Sequence, residues 1–293
     1  MPATGSHPLA GRPYNSVTWE LSTASIFMTV ILLSLLAITA YGLGTATHVR
    51  LYLGQWQLQP SFTFLLGLVA AALHLVSNSL LISTAQGWEF SFFKSASAIT
   101  NIIVIVLLLF MRRKPVQNLF LINYPLAILS LIGAVFFTKQ VSPIPRHELG
   151  ILLHVSLSII AYSFLSVAAL QALLLYIQNK QLKARKNSHF LKALPPLLTM
   201  ETILFALIRA GFVLLTLAIV SGAIFIQDLF AQHLVHKTAL SLFAWLVFAI
   251  LLIGHHFYGW RGLIASRWTL GGAIVLMLGF LGSKLVLEII LST

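Results

Sequence analysis

The chain has 293 residues, of which 59% are hydrophobic and only 8% charged, with a mean hydropathy of +0.96. A soluble domain of this length needs far more charge, so the composition excludes one. The formal charge of +12 does not point to nucleic acid, because the basic residues sit in short loops between apolar runs, where they act as an orientation signal. The absence of cysteine removes disulfide exchange, thiol attachment of haem, iron–sulfur ligation and thiolate zinc sites from this chain.

The N-terminal stretch MPATGSHPLAGRPYNSVTWE is polar, rich in proline and without an apolar h-region. It reads as a tail over residues 1–24 and not as a cleavable signal peptide. Residues 25–293 then form one membrane domain. Its apolar runs are long enough to cross about 30 Å of hydrocarbon as helices. Eight spans are expected, near 25–43, 61–83, 92–111, 119–138, 149–178, 202–226, 237–258 and 269–291. The fold class is therefore all-α, a polytopic bundle of eight transmembrane helices.

Between the spans, MRRKPVQN is strongly positive. NKQLKARKNSHFLKALPPLLTME carries Lys180, Lys183, Arg185, Lys186 and Lys192 before Pro195-Pro196 stops any continuing helix, and YGWRGLIASRW carries Arg261 and Arg267. These loops fall on one side, which the positive-inside rule assigns to the cytoplasm; an even number of spans then places both termini outside. The opposite loops, around Trp88, SPIPRHE and DLFAQHLVH, are short, so no outer domain is expected.

Three histidines fall inside the expected spans. His74 lies at mid-depth of the second, His154 opens the fifth, and His255 closes the seventh. Gly67, Ala71, His74 and Asn78 share one helix face, as do His154, Ser158, Tyr162, Ala169 and Ala172. Trp245, Phe248, Leu252 and His255 make an aromatic-apolar wall that ends in an imidazole. Such histidines can simply hydrogen-bond a neighbouring helix, or meet water at a span end. An imidazole at mid-depth is nevertheless costly without a partner, so His74 reads as a functional residue. Carboxylates are nearly absent from the spans, and Glu288 is expected to pair with Lys284 one turn earlier; an ion-coupled transporter loses ground accordingly. Zinc would want a further hard or thiolate ligand. Haem suits an apolar slot with axial imidazoles and a cation for its propionates. Arg209 is an available cation, with snorkelling to the interface as its other reading.

The run HKTALSLFAWLVFAILLIGHHFYGWRGLIASRWTLGGAIVLMLGFLGSKLV resembles the last two spans of the cytochrome c assembly superfamily, which includes CcsA, CcmC, CcmF and HemX. LLHVSLSIIAYSFLSVAALQALLLY resembles its histidine-opened span, and LPPLLTMETILF is similar to the YpjD-type bacterial inner-membrane branch, the one the chain resembles most. The likeness covers roughly residues 60–293. It implies a haem-handling protein with bis-histidine sites: two membrane histidines hold haem, and two outer ones present it beneath a tryptophan-rich loop. His255 falls close to one membrane histidine, His74 occupies a plausible position for its partner, and His154 matches the first outer histidine. DLFAQHLVHK has no tryptophan cluster, and LVLEIILST lacks the second outer histidine, for which His233 or His236 could substitute.

The expected function is thus non-covalent binding of haem b in a bacterial inner membrane, assisting haem handling or cytochrome c maturation without a catalytic step. Haem, the lipid bilayer and cytochrome c maturation proteins are the expected partners, with no nucleic acid. His74 and His255 are the expected axial pair. His154 and Arg209 complete the cofactor-binding set, His154 at a second site or none. The rival reading is a non-haem accessory or transporter regulator that retains the fold.

Overall fold

A computed structural model describes residues 16–53, 60–112, 114–137, 141–184, 194–226 and 232–282. Eight long helices are found among them: α1 Ser16–Tyr52, α2 Pro60–Ile82, α3 Phe92–Met111, α4 Gln117–Phe136, α5 Leu149–Lys183, α6 Leu197–Phe225, α7 Gln232–Tyr258 and α8 Gly262–Met277. A π turn, Leu278–Gly282, continues α8. Each has an apolar stretch long enough to cross a membrane. The protein is a polytopic helical membrane protein, as its composition requires.

The ends follow local chemistry. α1 begins at Ser16, inside the stretch expected to be tail, and no proline between Pro13 and Pro60 interrupts it. Pro60 opens α2, where its missing N–H costs nothing, and α6 starts directly after Pro195-Pro196. Pro125 sits inside α4. The last helix begins at Gly262, earlier than the apolar run suggests, because Gly262 takes φ +53° and its N–H donates to Glu201 Oε1 at 2.7 Å. The Lys284–Glu288 pair, Arg185, Lys186, Lys192 and the side chains of His233 and His236 lie outside the described residues.

The helices associate as two rings of four. α1 packs on α2 and α4, and α3 packs on α2 and α4. In the second ring, α5 packs on α6 and α8, and α7 packs on α6, α8 and the π turn. The rings meet through α3 and α5, where Ser163 Oγ donates to the Ile99 carbonyl at 3.3 Å. Small residues permit the close approaches, as expected where lipid supplies no hydrophobic drive between helices. Ala161, Ala168 and Ala172 of α5 are fully buried, and Gly211 of α6 leaves room for Leu165. Large apolar side chains such as Val213, Leu129 and Ile253 face outward, as lipid contact demands.

At the end opposite the basic loops, β1 (Gly87–Trp88) pairs antiparallel with β2 (Ile144–Pro145). Only glycine fits at Gly87, where a Cβ would meet the Ile144 carbonyl. Beside this ladder Lys94 Nζ lies 3.0 Å from Glu89 Oε2, both side chains almost wholly buried. Val141 N–H donates to Glu89 Oε1 at 3.4 Å, and Arg146 Nη2 donates to the Thr84 carbonyl at 3.0 Å.

Candidate functional site

His154 stands one turn into α5, at the end of the second ring opposite the basic loops. Its Nδ1 lies 2.8 Å from the carbonyl oxygen of Ala218 on α6. A carbonyl can only accept, so Nδ1 carries the proton and Nε2 is left with its lone pair, the tautomer that ligates a metal. Ser221 Oγ, which donates to the same carbonyl at 2.8 Å, flanks the ring. Gly222 makes the approach possible: a Cβ there would sit 2.8 Å from His154 Cε1 and 2.9 Å from Nδ1.

The imidazole borders a cavity of about 470 Å³ enclosed by α5, α6, α7 and α8. Ser158 and Tyr162 follow His154 along the same wall, because four-residue steps return to one helix face. Ser158 Oγ donates back to the His154 carbonyl at 2.8 Å. Leu215, Ile219 and Phe280 supply much of the apolar lining.

The other two histidines are placed differently. His74 is 0% exposed. Its Nδ1 lies 3.2 Å from the Tyr41 hydroxyl on α1, and its Nε2 lies 2.7 Å from Ser97 Oγ on α3. Both nitrogens are therefore engaged, one donating and one accepting, and a metal at either would have to displace a hydroxyl. His255 Nδ1 donates to the Trp260 carbonyl at 2.9 Å, and its ring stacks on Phe205 with centroids 3.5 Å apart. His74 belongs to the first ring and His255 to the second, and α2 and α7 share no packed face among the described residues. The structure does not bring the two together, and neither lines the His154 cavity.

Arg209 is exposed on the outer face of α6, its Nε donating to the Phe205 carbonyl at 3.2 Å. It does not line the His154 cavity either.

Two features escaped the sequence reading. α1 runs on past residue 43 without a breaker and carries His48, buried and stacked on Phe120 with centroids 5.3 Å apart. Tyr41, Gly44 and His48 recur at helical spacing, which was the available signal. The Lys94–Glu89 pair bridges a span boundary, where charge near an interface draws no attention. Among the described residues no group of three or more His, Cys, Asp or Glu is placed to hold a metal ion.

Residues 62–291 match the family described as cytochrome C assembly protein. The chain belongs to that family. Within it, the chain is 32% identical over 260 residues to the inner membrane protein YpjD of Escherichia coli strain K12, covering 88% of this chain and 98% of YpjD. It is 29% identical over 156 residues to the cytochrome c biogenesis protein CcsA of Chlamydomonas reinhardtii, covering 51% of this chain and 42% of that one. Protein HemX of Brevibacillus brevis is 26% identical over 164 residues, covering 55% and 60% respectively. No solved structure matches the chain significantly. The matched family region takes in seven of the eight helices, from α2 onward, and includes all three histidines singled out from the sequence. The resemblance to the superfamily and to its YpjD-type branch therefore holds.

Proposed function

We propose that this cytochrome c assembly family member binds haem non-covalently, and that His154 Nε2, with the cavity between α5, α6, α7 and α8, would hold it. The observation that carries the reading is the 2.8 Å bond from His154 Nδ1 to the Ala218 carbonyl. It fixes the tautomer and orients the ring, as the outer partners of metal-binding histidines do. The donor set fits haem rather than zinc, because one imidazole lies among mainly apolar walls that also carry Lys237, Thr238 and Ser241, without the further ligands zinc requires. Haem would supply iron-centred electron transfer, while the chain's own residues orient it and exclude water.

The protein would reside in the inner membrane, as YpjD does by name, with the basic loops cytoplasmic and both termini outside. Its role would be to hold or pass haem, or to assist cytochrome c maturation alongside other proteins. The rival reading, an accessory that keeps the fold without haem, draws on His74: its two nitrogens are satisfied within the protein.

Purification from haem-replete cells tests the proposal. A Soret band that is lost in His154→Ala and retained in His74→Ala and His255→Ala supports it. A band lost only when His74 or His255 is replaced moves the site to that residue. Colourless wild-type protein, unchanged by added haem, favours the accessory reading.

A further inference from the structure

α7 and α8 leave a groove of about 300 Å³ between them. Phe243 and Val247 of α7 and Trp268, Gly271 and Val275 of α8 give it apolar walls, and Arg267 is its one charged lining residue. Phe243, Arg267 and Gly271 are all exposed, so the groove opens toward lipid. Gly271 keeps it open: a Cβ there would meet nothing within 4 Å, whereas a Cβ on the adjacent Gly272 would press on Phe248.

The groove has a direction. At 1.5 Å per residue from Gly262, where α8 leaves the basic turn, Arg267 lies about 7.5 Å along the helix, Gly271 about 13.5 Å and Val275 about 20 Å. Counted back from Tyr258 on α7, Val247 lies about 16 Å in and Phe243 about 22 Å. The cation therefore stands at the end nearest the basic turn, and the apolar walls run on toward the middle of the membrane. Helical side chains lean toward their own N-terminus, which lifts the guanidinium further toward that surface. Arg267 makes no hydrogen bond or ion pair among the described residues. Glu201, the carboxylate at the same end, is turned to the Gly262 N–H at 2.7 Å. A guanidinium at the edge of the hydrocarbon is costly without an anion beside it.

We infer that this groove is a binding site for an anionic phospholipid, its headgroup on Arg267 and one acyl chain laid along Gly271. Charge selects the headgroup, because basic sites between helix ends favour anionic lipids and the guanidinium fork matches phosphate oxygens. The apolar run beyond Arg267 selects a lipid over a free phosphate, since only a lipid fills both parts. A partner helix could offer the anion only by carrying a carboxylate inside its own span, which is itself a costly placement. The inference does not rest on haem binding, and no residue of the groove lines the His154 cavity.

The full chain in phosphatidylcholine nanodiscs can be labelled with photoreactive phosphatidylglycerol and, in parallel, with phosphatidylcholine carrying the same photoreactive acyl chain. Adducts are mapped by peptide mass spectrometry and normalised to the α2 peptide around Leu65 and Leu68, which are lipid-exposed near the same membrane surface. Peptides spanning 243–247 and 267–275 should be labelled about fivefold more by the anionic probe, the preference that one basic residue near a membrane surface confers. Arg267→Gln, at an exposed position, should bring that ratio to about one without changing the melting temperature. Gly271→Leu should reduce labelling of these peptides by both probes and leave the α2 peptide unchanged. If Gly271→Leu fails to fold, the wild-type ratio and the Arg267→Gln result decide. Equal labelling of the wild type by the two probes would mean that ordinary boundary lipid fills the groove. A preference that survives Arg267→Gln would place the attraction elsewhere on the basic surface. Labelling of the α2 peptide alone would mean that a protein surface covers the groove. Any of these results overturns the inference.

Discussion

Gly222→Ala separates a ligand role for His154 from a purely structural one. A methyl group at this position would lie 2.8 Å from Cε1 of the imidazole. Carbon atoms pack at about 3.5 Å or more, so the ring must retreat by about 0.7 Å. Such a retreat carries the Nδ1–Ala218 bond from 2.8 Å to about 3.5 Å, the limit at which it counts as a hydrogen bond. Losing it costs about 1 kcal/mol. Replacing a helical glycine by alanine returns about 1 kcal/mol through helix propensity, so stability should barely change. Haem affinity should respond quite differently, because loss of the outer partner of a ligating histidine typically weakens metal binding by about 10- to 100-fold. Haem titration of the purified variant, followed at the Soret band, should show that weakening, while thermal unfolding stays within about 4 °C of wild type. Wild-type haem affinity in Gly222→Ala, with His154→Ala still unable to bind, would refute the reasoning that the Ala218 bond tunes the ligand.

Three further outcomes follow from the packing and the loops. Lys94→Met leaves Glu89 buried without its cation and should destabilise the protein by about 3–5 kcal/mol in detergent unfolding, with the double variant Lys94→Met/Glu89→Gln recovering much of the loss. Gly67→Ala, whose methyl would meet the Tyr124 hydroxyl at 2.6 Å, should cost about 1–3 kcal/mol, whereas Gly42→Ala, which meets open space, should be neutral or slightly stabilising by the same measurement. Reporter fusions at Lys114 should read cytoplasmic and at Pro145 should read outside; the reverse at either site would break the proposed orientation.

The spans were legible because lipid imposes a simple rule: a helix must be apolar and long enough to cross. The third apolar run covers 92–111, and α3 runs from Phe92 to Met111. Ends were harder wherever a charged or polar residue interrupted the run. Arg267 masks the first turns of α8, and polar Thr45 and Thr47 hid the stretch of α1 that carries His48. Neighbour relations were not legible. In lipid both the inward and outward faces of a helix are apolar, so periodicity does not say which helix meets which. That is why His74 and His255 read as a pair from the cost of burying His74, the aromatic wall that ends in His255 and the resemblance, although α2 and α7 lie in separate rings. His154, Ser158 and Tyr162 were readable as one face because a single helix carries all three. The cavity they border also needs α6, α7 and α8, and no spacing within α5 announces those.

The β1–β2 ladder has a mechanical consequence. It joins the α2–α3 loop to the segment that leads into α5, the sole covalent crossover between the rings. Arg146 on the Thr84 carbonyl and Val141 on Glu89 rivet the same corner. Three fastenings thus hold the connecting segment against the first ring, so the chain enters α5 from an anchored point rather than from a free tether.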